Sequence, residues 1–422
     1  MTADTPRTLP LPNLLRGHPA LRSFIVIRSA DELSSQMLNV AIGWYVYSAT
    51  RNPMSLAYVG LAQFLPSIVV LLFAGHAADR FERRKLIRLS LFLQTFCLAA
   101  FGVWLAAARP SPGPVYLLLF VLSSARAICS PAMSAILPSV VSGQEFPRAV
   151  AASSSAFQIC TIVGPAIGGL IYAVSGPGMF AVATALYLLA AAQSQRLPVG
   201  SLPSGDPQSE LSDKSVLAGV RYVKSNRLLL SLISLDLFAV LLGGVMALLP
   251  IYAKEILNVG PVGLGCLRCA PGAGAALVGL LLAHRTINRS AGKRMLACVA
   301  GFGVATVVFA LSASFWLSLA ALIVAGGFDM VSMVIRQTLV QLSTPDRMRG
   351  RVSAVNWLFI GASSELGEFE SGATAALFGT VPAALLGGVG TLVIVALWAL
   401  LFPELRGADQ LVDAGAEPVA AD

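Results

Sequence analysis

Apolar runs long enough to cross a lipid bilayer recur twelve times along this chain. They begin near Arg22, Leu56, Leu86, Pro114, Val150, Gly178, Leu228, Pro261, Met295, Phe315, Val352 and Pro382. A helix needs about 20 apolar residues to cover a hydrocarbon core of roughly 30 Å. Charged residues make up 12 % of the 422 positions, about half the roughly 25 % of soluble domains. The pattern predicts an all-α membrane protein of twelve transmembrane helices rather than two or three soluble domains.

The longest polar interruption, Gln193 to Arg227, divides the spans into six and six. Its first part, Leu197 to Ser212, is rich in Pro, Gly, Ser and acid and reads as a linker. Its second part, Lys214 to Arg227, carries an apolar stripe of Val216, Leu217, Val220 and Val223 beside Lys214, Arg221, Lys224 and Arg227. That segment is expected to be an amphipathic helix lying on the cytosolic surface. The resulting plan is a cytosolic N-terminal segment (1–21), a six-helix bundle (22–195), a cytosolic linker (196–227), a second bundle (228–403) and a cytosolic tail (404–422). Residues 1–20 hold Asp4, Arg7, Arg16 and four prolines, not the apolar core of a secretory signal.

Positive charge fixes the expected orientation. With both termini cytosolic, 22 of the 29 Lys and Arg fall on the cytosolic side, and only Arg51, Arg109 and Lys254 fall outside. Arg28, Arg126, Arg268 and Arg336 lie within spans. This asymmetry obeys the positive-inside rule, and moving the helix count by one would destroy it. The net charge of +8 is scattered through short loops without a basic, aromatic-laced stripe, so no nucleic-acid partner is expected. The six cysteines sit inside apolar runs, where they serve as small packing residues; neither a disulfide nor a metal is expected, even for Cys266 and Cys269. His18, His76 and His284 lie away from the span centres, and no nucleophile–base arrangement is visible, so an enzyme is not expected.

Eleven ionisable residues fall inside spans: Arg28, Asp31, Glu32, Arg126, Asp236, Arg268, Asp329, Arg336, Glu365, Glu368 and Glu370. Unpaired, at about 2.5–3.5 kcal/mol each, they would cost more than the roughly 5–15 kcal/mol of net stability of a folded domain. They must pair, face an aqueous cavity or carry a proton. Arg28 shares a helix face with Asp31 and Glu32, three and four residues on. Glu365 and Glu368 also share a face, about 4.5 Å apart along the axis; like charges that close in low dielectric favour proton uptake by one of them. Asp329 and Arg336 are roughly 10 Å apart along one face, so each is expected to meet another helix. Glu370 is turned about 200° from Glu368. The plain alternative for all of these is inter-helix salt bridging, favoured for Arg268 and Arg336 near the span ends.

Between the second and third runs lies a dense cluster, Gly75-His76-Ala77-Ala78-Asp79-Arg80-Phe81-Glu82-Arg83-Arg84-Lys85. Glu145-Phe146-Pro147-Arg148 is echoed by Asp346-Arg347-Met348-Arg349, as expected of two related halves with binding between them.

The cluster resembles the signature of the major facilitator superfamily, Gly-x-x-x-Asp-Arg-x-Gly-Arg-Arg/Lys. Gly75, Asp79, Arg80, Arg83 and Arg84 match, and Glu82 stands where a glycine is usual. Gly164-Pro165-Ala166-Ile167-Gly168-Gly169 resembles the exporter motif of the fifth span, with Cys160 in place of its preceding glycine. Asp236 to Gly244 and Arg349 to Asn356 resemble the drug:proton antiporter branch that includes enterobactin exporters. The resemblance implies two pseudo-symmetric six-helix halves and a functional role for Arg126. It also implies that the Gly164–Gly169 bend seals one face, and that Asp79 latches the positive N-terminal end of the eleventh span near Val352. It implies proton-coupled efflux (antiport) of a small amphipathic compound, such as a drug or siderophore, by alternating access. The setting would be the bacterial inner membrane. The chain would act as a monomer among membrane lipids, with the proton as coupling ion, no other cofactor, and multidrug resistance as one outcome. Asp31, Glu32, Arg28, Arg126, Asp236, Asp329, Glu365 and Glu368 are the candidate coupling and cavity residues. Arg268 and Arg336 join the two motifs as candidate gating residues. The alternatives are a lysophospholipid or other lipid translocator on the same fold, and a membrane sensor or scaffold without transport.

Overall fold

Prolines and short polar side chains start the helices at the edges of the apolar runs. Pro19 and Pro53 open two of them, and Pro114 and Pro147 sit in the first turns of two more, where a missing N–H costs nothing. Asn52 Oδ1 accepts from the Met54 amide at 3.0 Å and Asn226 Oδ1 from the Leu229 amide at 3.1 Å, capping otherwise unsatisfied donors.

The computed structural model describes residues 17–80, 82–107, 111–141, 145–198, 213–284 and 290–407, without the side chains of 67–80, 106–107 and 213–217. The first six long helices are α1 (Pro19–Thr50), α2 (Pro53–Arg80), α3 (Arg83–Ala107), α4 (Gly113–Ile136), α5 (Phe146–Ser175) and α6 (Gly178–Gln193). The linker helix α7 (Asp213–Ser225) follows. Six more are α8 (Arg227–Gly243), α9 (Gly260–His284), α10 (Ala291–Leu311), α11 (Phe315–Leu342), α12 (Asp346–Phe378) and α13 (Thr380–Leu401), before a last turn α14 (Pro403–Gly407). Beyond Gly244, α8 continues through a 3₁₀ turn (Val245–Leu248) to a π turn (Tyr252–Ile256). No strand occurs among the described residues. All twelve long helices begin at or a few residues before the expected starts, six on each side of α7.

Eight of these runs are long and apolar enough to cross a membrane by length and composition among the described residues. Of the others, α1 and α12 are interrupted by more than half of the intramembrane charges. Leu89, Phe96 and Val103 form an exposed stripe at seven-residue spacing on α3, 69 %, 72 % and 72 % accessible. An apolar stripe of this kind suits contact with lipid tails.

By contacts the chain forms two units, residues 1–39 with 65–206 and residues 40–64 with 207–422. The first packs around Phe24, Phe180 and Tyr187, with the Phe101 and Phe180 rings edge to face at 5.2 Å. The second contains a continuous core from Leu229, Leu232 and Met295 to Val352 and Leu405.

The expectation that α7 rests its apolar stripe on the membrane surface is corrected. Val223 is buried in the core of the second unit beside Val352 and Val355. A Cβ on Gly219 would stand 2.9 Å from the Arg351 carbonyl oxygen. The described part of the stripe, Val220 and Val223, is spent on this core, while Arg221 and Lys224 remain exposed. Lys214, Val216 and Leu217 lie outside the described side chains.

Candidate functional site

In lipid, helices gain little from the hydrophobic effect and associate through close packing and polar contacts. Both operate where α5 crosses α1. A Cβ on Gly164 would stand 2.7 Å from Gln36 Cβ, and one on Gly168 would stand 2.7 Å from Met37 Cα. Gly164, Pro165, Gly168 and Gly169 are all buried. The close approach brings Thr161, one turn earlier on α5, onto the same stretch of α1.

There Glu32, 5 % accessible, is held by three donors. Its Oε1 accepts from Gln36 Nε2 at 2.7 Å and from Thr161 Oγ1 at 2.9 Å. Its Oε2 accepts from Arg126 Nη2 at 3.2 Å. The Arg126 guanidinium, reaching across from α4, also donates through Nη1 to Ser35 Oγ. Its Nε lies 3.8 Å from Asp31 Oδ2, and Asp31 Oδ1 is buried without a hydrogen-bond partner among the described residues. Asp31, Glu32 and Arg126 line a cavity of about 340 Å³ together with Phe24, Ile27, Met133 and Phe157. One carboxylate is fully engaged and its neighbour is not.

Arg28 faces the same cavity but does not form the ion pair that its spacing to Asp31 and Glu32 suggested. Its Nη1 donates to Ser153 Oγ at 3.1 Å, and its guanidinium lies 4.8 Å over the Phe157 ring. The counter-ion comes from α4 because the aromatic face and the hydroxyl of α5 draw Arg28 away.

The second unit holds a cavity of about 280 Å³ bordered by Asp236, Asp329, Arg336 and Glu368. Arg336, buried on α11, forms an ion pair with Asp236 of α8. The positive charge of Arg268 on α9 acts on Glu368. Glu365 lies one turn before Glu368 on the same helix. Arg268 also approaches α1, with Nη2 3.7 Å from a Cβ built on Gly43. Glu370 accepts from Thr374 Oγ1 of its own helix at 2.7 Å.

The signature cluster acts through helix ends. Arg83 Nη1 donates to the Ala135 carbonyl at 3.0 Å, near the end of α4, and Arg84 Nη2 donates to the Gln195 carbonyl at 2.5 Å, just past α6. A cation at a C-terminal turn satisfies orphan carbonyls and opposes the helix dipole. Glu82, in the glycine position, pairs with Lys85 at 3.0 Å. Gly75, Asp79 and Arg80 lie where side chains are outside the described residues, and the proposed Asp79 latch lies there with them.

Ser35, Gln36, Ser153, Phe157 and Thr161 were missed in the sequence. The available signal was Gln36, an amide one helical turn after Glu32 inside an apolar run. Also missed were the contacts joining the ends of α1 and α8. Arg51 Nη1 meets Glu255 Oε1 at 3.3 Å, and Lys254 Nζ donates to Ser48 Oγ at 2.6 Å while lying 5.3 Å over Trp44.

A family model described as transmembrane secretion effector matches residues 17–418. The enterobactin exporter EntS of Escherichia coli O157:H7 is 28 % identical over 408 residues, 93 % of this chain and 94 % of that protein. That of Shigella boydii serotype 18 matches to the same extent. Among solved structures, the nucleoside transporter NupG superposes with a TM-score of 0.70 at 13 % identity, covering 91 % of this chain and 99 % of its own. A bacterial homologue of the human lysosomal transporter Spinster, inward-facing and occupied, gives 0.68 at 15 %, covering 96 % and 99 %. At such identities the structural likeness bears on the fold alone.

Proposed function

We propose, from the premise that the chain belongs to the transmembrane secretion effector family of the major facilitator superfamily, that it is a proton-coupled exporter. Its cargo in this reading is a small amphipathic compound, such as a siderophore or drug, carried by alternating access across the bacterial inner membrane with both termini cytosolic. Support for export comes from the enterobactin exporters that it resembles. Support for the orientation comes from the excess of Lys and Arg on one side.

The observation that carries the coupling is the single Arg126 guanidinium serving Glu32 at 3.2 Å and Asp31 at 3.8 Å on the wall of a cavity. A proton on Asp31 removes one of the two negative charges and leaves Arg126 to Glu32. Two unit charges about 4 Å apart interact by roughly 4 kcal/mol at an effective dielectric of about 20. Moving a two-state equilibrium from 1:99 to 99:1 takes about 5.5 kcal/mol. One proton therefore acts on an interaction of the size that alternating access needs, and shifts the equilibrium by as much as that contact differs between the two states. Asp31 is the carrier in this scheme, and Glu32 keeps Arg126 in place while the proton comes and goes.

The test is flux in proteoliposomes holding the purified chain, with enterobactin and a fluorescent amphipathic dye as probes. Movement of at least one probe is expected to follow an imposed proton gradient and to collapse with a protonophore. Probe movement indifferent to that gradient would overturn the coupling.

A further inference from the structure

We infer that the cavity of the second unit is a binding site for an organic monocation with an apolar body, and that Asp329 holds its charge. The inference deepens the export reading by naming a cargo class, and in that sense rests on it.

The charges bordering this cavity do not balance. Asp236 of α8, Asp329 of α11 and Glu368 of α12 contribute three carboxylates, and Arg336 of α11 is the one guanidinium in the described wall. Arg336 is bonded to Asp236, and the same charge also acts on Asp329. Arg268 of α9 acts on Glu368 from outside the wall. Two arginines thus serve three carboxylates, leaving a single negative charge for an occupant when all are ionised. Asp329 is the carboxylate left over: among the described residues it has no hydrogen bond, and its side chain borders the cavity. α10 contributes no charge to the wall, only Phe302 and Thr306.

The rest of the wall favours a particular shape of cation. Met246, Phe302, Leu322 and Ile360 line it, so an occupant must cover apolar surface as well as bring a positive charge. An aromatic ring such as that of Phe302 can attract a cation through its quadrupole, and methionine adapts to irregular apolar bodies. An anion would meet the uncompensated carboxylate and pay for its own desolvation without a partner. The cavity of the first unit differs, since Arg28 and Arg126 there face Asp31 and Glu32 in equal number.

Equilibrium dialysis of the purified full chain in detergent, corrected with protein-free micelles, provides the test. The probes are benzyltrimethylammonium, a permanent cation with a phenyl body, and benzenesulfonate, an anion of similar size. The cation should bind at least tenfold more tightly than the anion. Asp329→Asn should weaken cation binding at least tenfold, and Asp329→Glu should restore most of it. Ile360→Trp, which fills the cavity without changing a charge, should weaken it as well, and it decides the matter if thermal melts show that Asp329→Asn does not fold. Equal binding of the two probes, or cation binding unchanged by the substitutions that fold, would overturn the site. Gradient-indifferent export would leave this result standing, and absence of cation binding would leave the coupling at Asp31 standing.

Discussion

Arg126 on α4 lies 3.2 Å from Glu32 and 3.8 Å from Asp31, two carboxylates adjacent in α1. Their partners differ more than their positions. Glu32 also receives Gln36 and Thr161, whereas one oxygen of Asp31 is buried without a donor. The same type of side chain is thus placed once with a full set of donors and once with an oxygen left without one.

Removing the shared cation should therefore damage both. Arg126→Ala leaves two carboxylates facing each other in a partly buried site, and breaking a buried pair in this way typically costs about 3–5 kcal/mol. Thermal melts should fall and gradient-driven flux should drop at least tenfold. Arg126→Lys keeps the charge but not the fork that reaches Glu32, Asp31 and Ser35 together, so it should fall between the two. Wild-type flux in Arg126→Ala would remove the cluster from the mechanism.

The neighbouring acids should separate by readout. Glu32→Gln exchanges an acceptor oxygen for a donor among groups that already donate, leaving at least one unsatisfied at about 1–3 kcal/mol. Its melting temperature should drop. Asp31→Asn meets no such conflict, so its melt should stay near the parent value while flux loses its response to the proton gradient. The opposite assignment, with Glu32→Gln stable but uncoupled and Asp31→Asn unstable, would exchange the two roles.

A third prediction concerns the close crossing of α5 on α1. With Gln36 Cβ only 2.7 Å from a Cβ at position 164, Gly164→Ala must push the helices apart. Overpacking of this sort costs about 1–3 kcal/mol, and the shift moves Gln36 and Thr161 away from Glu32. Gln36→Gly removes the clashing atom, so a double-mutant cycle on thermal stability should show a favourable coupling between the two positions. Strict additivity would show that the contact does not constrain the helices.

At the signature cluster, Arg83 and Arg84 should matter more to stability than to orientation. Arg83→Ala removes a charged hydrogen bond to the Ala135 carbonyl, worth about 1.5–3 kcal/mol. Loss of one among so many positive charges expected on one side should leave the topology intact. Cysteine-labelling from either side of the membrane, together with melts, separates the effects. Inverted labelling in Arg83→Ala would make the residue a topological determinant instead.

The fold was legible because span length and charge asymmetry are properties of a one-dimensional pattern. Twelve apolar runs and a polar break after Gln193 needed no knowledge of packing. The ionisable residues were legible too, since Asp31, Glu32 and Arg126 stand out against apolar neighbours. Their pairing was not. Spacing along α1 favoured Arg28 as the counter-ion, but Ser153 and Phe157 arrive from another helix and capture it. Likewise the stripe on α7 announced an apolar contact without saying whether lipid or α12 would supply it. Helical periodicity reports which face a residue occupies, and the partner across that face is set by tertiary packing.

The ion pair of the second unit offers the sharpest energetic test of that last point. Arg336 is buried against Asp236 and its charge also acts on Asp329, so Asp236 and Arg336 owe most of their tolerance to each other. Asp236→Asn strands a guanidinium in low dielectric, and Arg336→Met strands a carboxylate; each should destabilise by about 3–5 kcal/mol. The double variant Asp236→Leu with Arg336→Met removes both desolvation penalties at once, and such replacements are often neutral or stabilising. Its thermal melt should therefore lie close to that of the parent, well above either single variant. If flux then falls while the melt recovers, the pair is kept for transport rather than for stability. A double variant as unstable as the singles would show that the helices depend on this bridge for their packing.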